Sequence, residues 1–238
     1  ETPAAPSPPE SAGRVFASRL GVARAYADLL AGEGVLRGVI GPREGPRLWD
    51  RHLVGSAVLG DAIPEGFSVC DVGSGAGLPG LALAIARPDL PVTLVEPLQR
   101  RIDFLATCVR ELGLDNVELV RARAEELHGT RVFDVVTSRA VAPLPRLAAW
   151  SMPLVSATGA MLAMKGASAP DEARAATADL VAHGCAAPEV VVLGHELLDP
   201  PVRVVRVVWE GDPRVGWGDA GGSRSRPRTR PKRRPRRR

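Results

Sequence analysis

Aromatic side chains are scarce in this 238-residue chain, which holds four tryptophans, four phenylalanines and a single tyrosine. Few flat platforms are therefore on offer for stacking bases along a groove. Cysteine is scarcer still: Cys70, Cys108 and Cys185 are odd in number, far apart, and without a C-x-x-C pair or a neighbouring histidine. That pattern argues against a disulfide framework and a zinc site, and predicts structural thiols in a reducing cytosol. No run approaches the ~18 apolar residues of a membrane span. The opening ETPAAPSPPESAG lacks both a basic n-region and an apolar core, so it is not expected to act as a secretory signal. Lysine is almost missing, with Lys165 and Lys232 the only two among 31 basic residues.

Positive charge is abundant overall but its excess over acid lies at the C-terminal end. Ser223 to Arg238 holds ten Arg or Lys and no acid, leaving 21 basic against 27 acidic residues elsewhere, a body of net charge −6. The basic pI therefore belongs to the tail, and any RNA contact must come from a local patch, the tail, or both.

Composition divides the chain into four parts. Residues 1–13, rich in Pro, Ala and Ser, are expected to be disordered. Residues 14–62 carry apolar side chains near helical spacing, at Val15, Leu20, Val22, Ala25, Leu29 and Leu30 and again from about Arg47 to Gly60, with Gly41-Pro42 and Gly45-Pro46 as turn signals between. They predict an N-terminal helical cap. Residues 63–210 alternate short apolar runs with helical stretches, the pattern of a doubly wound α/β sheet. Strands are predicted at 67–72, 92–96, 117–121, 132–138, 159–164, 189–193 and 202–209, and helices at 79–87, 98–112, 143–152 and 171–183. Seven strands, the last two consecutive and antiparallel, match the methyltransferase variant of the Rossmann architecture. Residues 211–238 are polar, then Arg/Pro-rich, and are expected to be a disordered tail.

The chemistry centres on VCDVGSGAGLPG, residues 69–80. Strand, close-spaced glycines and helix form a unit in which the backbone turns with positive φ and approaches a ligand closely. Gly75-x-Gly77-x-x-Gly80 satisfies a dinucleotide fingerprint, so hydride transfer is one reading. Asp71 favours another: a carboxylate there repels a pyrophosphate but suits S-adenosylmethionine, which carries an ammonium group and no phosphate. On that reading Asp71 lies near the methionine amino group, directly or through water, and the backbone of Gly73, Ser74, Gly75 and Gly77 lies against the cofactor.

Ligands of open α/β sheets bind at the carboxyl ends of the strands. The second strand ends in Glu96, about 20 residues after the glycines, where an acid can accept hydrogen bonds from both ribose hydroxyls. The third leads into Arg123-Ala124-Glu125-Glu126, and the backbone of Ala124 and Glu125 can pair with an adenine edge; Glu126 reads as a solvated helix-start acid. The fourth ends in Ser138-Arg139-Ala140, where Arg139 can grip the cofactor carboxylate or a substrate phosphate. No D/N-P-P-Y/F segment for exocyclic amines follows that strand, and none of the cysteines suits pyrimidine C5 chemistry. A ring nitrogen such as guanine N7 has a free lone pair and needs positioning and electrostatics without a general base.

DVGSGAGLPG, VEPLQRRIDFL, RARAEEL, FDVVTSRAVAPL and MLAMKG together resemble the bacterial small-subunit ribosomal RNA guanine-N7 methyltransferase G family, also called glucose-inhibited division protein B, over roughly Arg14 to Trp209. The resemblance implies a class I S-adenosylmethionine-dependent fold and methylation of N7 of a guanine in the decoding-region loop of 16S rRNA. It puts Gly73, Leu78, Ala124, Glu125 and Arg139 on the cofactor. It further implies a cytoplasmic monomer without a metal, whose loss is associated with low-level streptomycin resistance. The N-terminal segment departs from the family's Asn-Leu-Thr and Arg-His-x-x-Asp-Ser: here Gly38-Val39-Ile40-Gly41 precedes Arg51-His52-Leu53-Val54-Gly55-Ser56, so glycine stands where the acid is usual. Arg47, Arg51 and His52, with Arg43 and Trp49, form a candidate RNA patch, and Arg139 and Lys165 are candidates for a substrate phosphate. Arg100 and Arg101 read as a solvated helix start. An rRNA-binding assembly factor with a vestigial cofactor loop, or another RNA or small-molecule methyltransferase, stays open beside the rRNA enzyme.

Overall fold

A computed structural model describes residues 5–139 and 142–217. Seven strands form one sheet in the order β3-β2-β1-β4-β5-β7-β6. They are β1 (Val69–Val72), β2 (Val92–Val95), β3 (Val117–Val120), β4 (Phe133–Arg139), β5 (Val155–Lys165), β6 (Glu189–Leu193) and β7 (Val202–Val207). β1 pairs in parallel with β2 and β4, and β7 runs antiparallel between β5 and β6. Strands β1 and β2 are buried along their whole length, which is why they read as near-continuous apolar runs. The strand order reverses between β1 and β4, so the crevice that an open sheet offers a ligand lies at their carboxyl ends.

Neighbouring residues of β1 feed different layers. Val69 points into a core shared with α1 (Glu10–Phe16), α2 (Leu20–Leu29), α3 (Gly55–Ala57), α4 (Gly80–Ala86) and α5 (Gln99–Leu112), while Cys70 and Val72 point to the layer of α6 (Leu144–Ser151) and α7 (Ala169–Ala182). The N-terminal helices and one sheet face thus share a continuous apolar core. In α5 the buried residues Phe104, Leu105, Cys108 and Leu112 follow helical spacing, and Gly113 ends the helix with φ 59°, a left-handed turn that favours glycine.

Three expectations need correcting. Residues 5–13 are ordered: α1 begins at Glu10, Ala12 is fully buried, and the Trp49 indole donates to the Pro6 carbonyl at 2.7 Å. The prolines that suggest disorder also set an extended lead-in to the helix, with Pro9 at its N-cap. The second cap segment is not one α-helix. A π-helical stretch over Leu48–Val54 passes into α3 and then a 3-10 turn over Val58–Ala62. At the junction the Gly55 N–H reaches the Asp50 carbonyl, and a Cβ on Gly55 would stand 2.8 Å from that oxygen, so a side chain has no room there in this backbone. Within residues 211–217, expected in the tail, residues 211–216 are exposed but Trp217 returns to the body and stacks on His183 with ring centroids 4.4 Å apart. The arginine-rich run from Ser223 lies outside the described residues. Among the described residues, no helix is long and apolar enough to cross a membrane.

Candidate active site

The glycine loop leaves β1 through three left-handed positions, Gly73 (φ 73°), Gly75 (φ 58°) and Gly77 (φ 92°). A side chain on Gly77 would also meet Leu81 and stand 2.9 Å from Tyr26 Oη. The loop is tied down at both ends. The Gly73 N–H donates to the Val95 carbonyl at 2.8 Å and the Ser74 hydroxyl to the Asp71 carbonyl at 2.8 Å, while the hydroxyl of Tyr26, on α2, donates to the Ala76 carbonyl at 2.7 Å. Gly80 serves another need: a Cβ there would stand 2.8 Å from Asp71 Oδ2 and collide with Leu94, so glycine lets α4 lie close on the sheet.

Asp71 is the main correction to the sequence reading. The side chain is completely buried, its Oδ2 accepts from the Gly80 N–H at 3.0 Å, and its Oδ1 has no hydrogen-bond partner among the described residues. Strand alternation explains this, because position 71 faces the α4 side of the sheet and not the crevice. Burial pushes its carboxyl up to about 7. It lies beneath the loop, outside the residues that line the cavity above it.

Above the loop lies a cavity of about 680 Å³ lined by Gly73, Ser74, Gly75, Leu78, Glu96, Ala124, Glu125 and Arg139. Strand-end position and, for Leu78, the family resemblance assign those residues, and the fold brings them to one crevice. Glu96 stands between the loop and α5. Its Oε2 accepts from the Gly75 N–H at 3.0 Å and from Arg101 Nη1 at 3.3 Å, and its Oε1 from the Leu98 N–H at 3.0 Å. Arg101, read as solvated, therefore belongs to the site, whereas Arg100 is exposed. Ala124 and Glu125 open the 3-10 turn Ala124–Leu127, whose first N–H groups lack partners within the turn. Glu126 is more than a solvated acid, since its Oε1 accepts from the Arg123 N–H at 2.9 Å and caps that turn.

At the opposite end Arg139 leaves β4 and meets the N-terminal segment. Its Nη1 donates to the Arg51 carbonyl at 3.0 Å and to Ser56 Oγ at 3.3 Å, and its Nη2 lies 2.6 Å from His52 Nδ1. His52 Nε2 is in turn 2.7 Å from Glu44 Oε2. Burial, followed by the charge of Arg139, holds the imidazole below its ordinary pKa. The carboxyl of Glu44 is lowered, chiefly by its hydrogen bond to His52.

A family description reading "rRNA small subunit methyltransferase G", GidB, matches residues 20–198. The chain belongs to the rRNA small subunit methyltransferase G family. These are S-adenosylmethionine-dependent rRNA methyltransferases. The chain is 61% identical over 213 residues to the ribosomal RNA small subunit methyltransferase G of a Nocardioides species, covering 89% of this chain and 85% of that protein. It is 54% identical over 203 residues to the corresponding Streptomyces coelicolor protein, covering 85% of each. Among solved structures, a precorrin-6y C5,15-methyltransferase from Geobacter metallireducens is similar with a TM-score of 0.49 and 18% identity, over 66% of this chain and 87% of that one.

Two candidates for RNA contact, His52 and Lys165, are drawn into the body, and His52 lines the cavity. His52 is only 6% exposed, because it shares a helical face with Leu48, Trp49 and Leu53, which pack inward. Lys165 turns away from the cavity: its Nζ donates to the Ala142 carbonyl at 2.8 Å and pairs with Glu172 at 2.8 Å, so its charge is already matched. Arg43, Arg47 and Arg51 are exposed. Sequence reading missed Tyr26, Glu44, Ile40 and Trp150, the last two lining the cavity. Only their distance in space from the loop matters, and nothing local in the chain signals it.

Proposed function

We propose that this chain transfers a methyl group from S-adenosylmethionine to N7 of a guanine in the decoding-region loop of 16S rRNA. One arrangement carries the reading: a single crevice at the β1–β4 strand reversal holds a carboxylate at its middle, Glu96, and a guanidinium at one end, Arg139. The donor set fits that cofactor. Glu96 Oε1 accepts one hydrogen bond in the structure and has a lone pair left for a ribose hydroxyl. Leu78, Val95, Leu98 and Ala124 supply apolar wall for an adenine, and the first N–H groups of the turn at Ala124 and Glu125 supply the edge. Arg139 answers the amino-acid carboxylate, and Gly73, Ser74 and Gly75 supply the close surface beneath; Gly77, also expected there, does not line the cavity. The cofactor brings a methyl group on a sulfonium, an electrophile ready for attack.

The acceptor needs no base from the protein. The Ser138 hydroxyl is buried and donates to the Val72 carbonyl at 2.8 Å, and each cysteine is buried, with burial pushing the Cys108 thiol up to about 12 and the Cys185 thiol to about 11. A ring nitrogen with a free lone pair suits such a site. On this reading residues 14–62 cap the acceptor side of the sheet region 63–210, and Arg43, Arg47 and Arg51 meet phosphates of 16S rRNA or the 30S subunit, the protein working as a cytoplasmic monomer.

Labelled S-adenosylmethionine with unmethylated 30S subunits or naked 16S rRNA tests this directly, with mass mapping of the modified nucleotide. Label at N7 of one guanine is expected. No incorporation beside a working positive control sinks the reading, and tight cofactor binding without turnover points instead to an rRNA-binding assembly role.

A further inference from the structure

We propose that Glu44 and His52 are positioning residues that hold Arg139 ready for a carboxylate, and that they do so through a neutral imidazole of one defined tautomer. The proposal rests on the reading that Arg139 meets the amino-acid carboxylate of the cofactor.

Geometry fixes the tautomer. An arginine has only donors and stays charged. Its Nη2 lies 2.6 Å from His52 Nδ1, so Nδ1 presents a lone pair and the ring proton sits on Nε2. That proton points at Glu44 Oε2, 2.7 Å away. The chain therefore runs from guanidinium to imidazole to carboxylate, with each donor meeting an acceptor. An imidazolium would set a second N–H against Nη2 and put two positive charges in contact.

The same arrangement leaves Arg139 electrically free. All three of its acceptors, the Arg51 carbonyl, Ser56 Oγ and His52 Nδ1, are uncharged. Among the described residues no acid pairs with it directly, and Glu44 stands one imidazole away. Three of its five N–H groups are used, which leaves the Nε–H and one Nη2–H. A guanidinium oriented by neutral groups keeps its charge and a donor pair for a carboxylate, whereas a direct acid partner would neutralise it.

The groups facing this chain are Glu44 from the turn Pro42–Arg47, Arg51 on the helix of His52 itself, and Arg139 from β4, with Tyr26 of α2 and Asp71 of β1 beyond Arg139. Because burial and the charge of Arg139 lower the pKa of His52, only acidification below the ordinary imidazole range protonates it and breaks its contact with Arg139.

The test compares two ligands by calorimetry on the full chain: S-adenosylhomocysteine, which has the carboxylate, and methylthioadenosine, which lacks it. His52→Ala and Glu44→Ala are each expected to weaken S-adenosylhomocysteine about tenfold while leaving methylthioadenosine unchanged. His52→Asn keeps an acceptor beside Nη2. It should retain most of the selectivity at neutral pH and remove the loss of selectivity that the unmodified chain shows on acidification, a comparison that cancels any titration of Asp71. Equal loss for both ligands, or no loss, in both alanine variants overturns the relay. If Arg139→Ala itself affects both ligands equally, the carboxylate reading fails and the relay with it. If Arg139→Ala is selective and the other two are not, only the relay fails.

Discussion

The hydroxyl of Tyr26, buried in the N-terminal helical layer, donates to the carbonyl of Ala76 in the glycine loop across 2.7 Å, joining residues 50 positions apart. The cap thus acts on the cofactor loop itself. Burial raises the tyrosine's pKa, so it remains a donor throughout the working range. Tyr26→Phe leaves the Ala76 carbonyl without that partner and is expected to cost about 1–2 kcal/mol of stability. Urea unfolding measures the loss and calorimetry the accompanying fall in cofactor affinity; unchanged values in both would show that the loop does not need the brace.

Gly80 is where α4 and the sheet come closest. A methyl group there meets Asp71 Oδ2 at 2.8 Å and runs into Leu94, so Gly80→Ala is expected to destabilise the fold by about 1–3 kcal/mol through overpacking. Gly13→Ala is the control, because nothing lies within 4 Å of a Cβ at that point of α1. There the helix should gain about 0.5–1 kcal/mol. Equal behaviour of the two variants in urea titrations would contradict the packing argument.

Asp71 makes stability depend on pH with a definite sign. Its folded carboxyl, pushed up to about 7 from an ordinary 3.8, binds a proton that the unfolded chain releases earlier. The contribution is complete below the unfolded value and is lost as pH rises through about 7. Between pH 5 and 8 the unmodified chain should therefore lose about 2–3 kcal/mol that Asp71→Asn does not lose. Urea midpoints across that range decide it, and parallel curves for the two proteins would place the carboxyl's pKa elsewhere.

Glu96 has two kinds of partner, the loop and the proposed ribose. Glu96→Ala removes acceptors from the Gly75 and Leu98 N–H groups and from Arg101, and cofactor affinity should fall by about 1–3 kcal/mol. Glu96→Gln keeps one acceptor oxygen and should recover part of that affinity. If neither substitution changes calorimetric binding, the ribose contact is lost as an explanation.

Much of the architecture was legible because short apolar runs in a parallel sheet are buried on both faces and need little context. β1 and β2 are such strands and fall within the predicted ones, and Gly73, Gly75 and Gly77 are glycines for a local reason, positive φ. The loop's neighbours were harder to read. Asp71 looked like a ligand group because it stands at a strand end, yet one residue of pleat turned it to the other face. His52 looked like a surface cation within a basic run, but the inward pull of Leu48, Trp49 and Leu53 carried it inside.

What the sequence by itself determined is the periodicity of the strands, the turn chemistry of the cofactor loop and the family to which the chain belongs. These are properties of residues close together in the chain, where backbone sterics and hydrophobic spacing act. What only the tertiary structure decided is which long-range partners complete the site. Arg139 meets His52 across 87 positions, and His52 meets Glu44 only because a π-helical stretch and a turn bring them together. Hydrogen bonds between distant side chains depend on how layers pack, and the spacing of residues along one chain does not encode that contact locally.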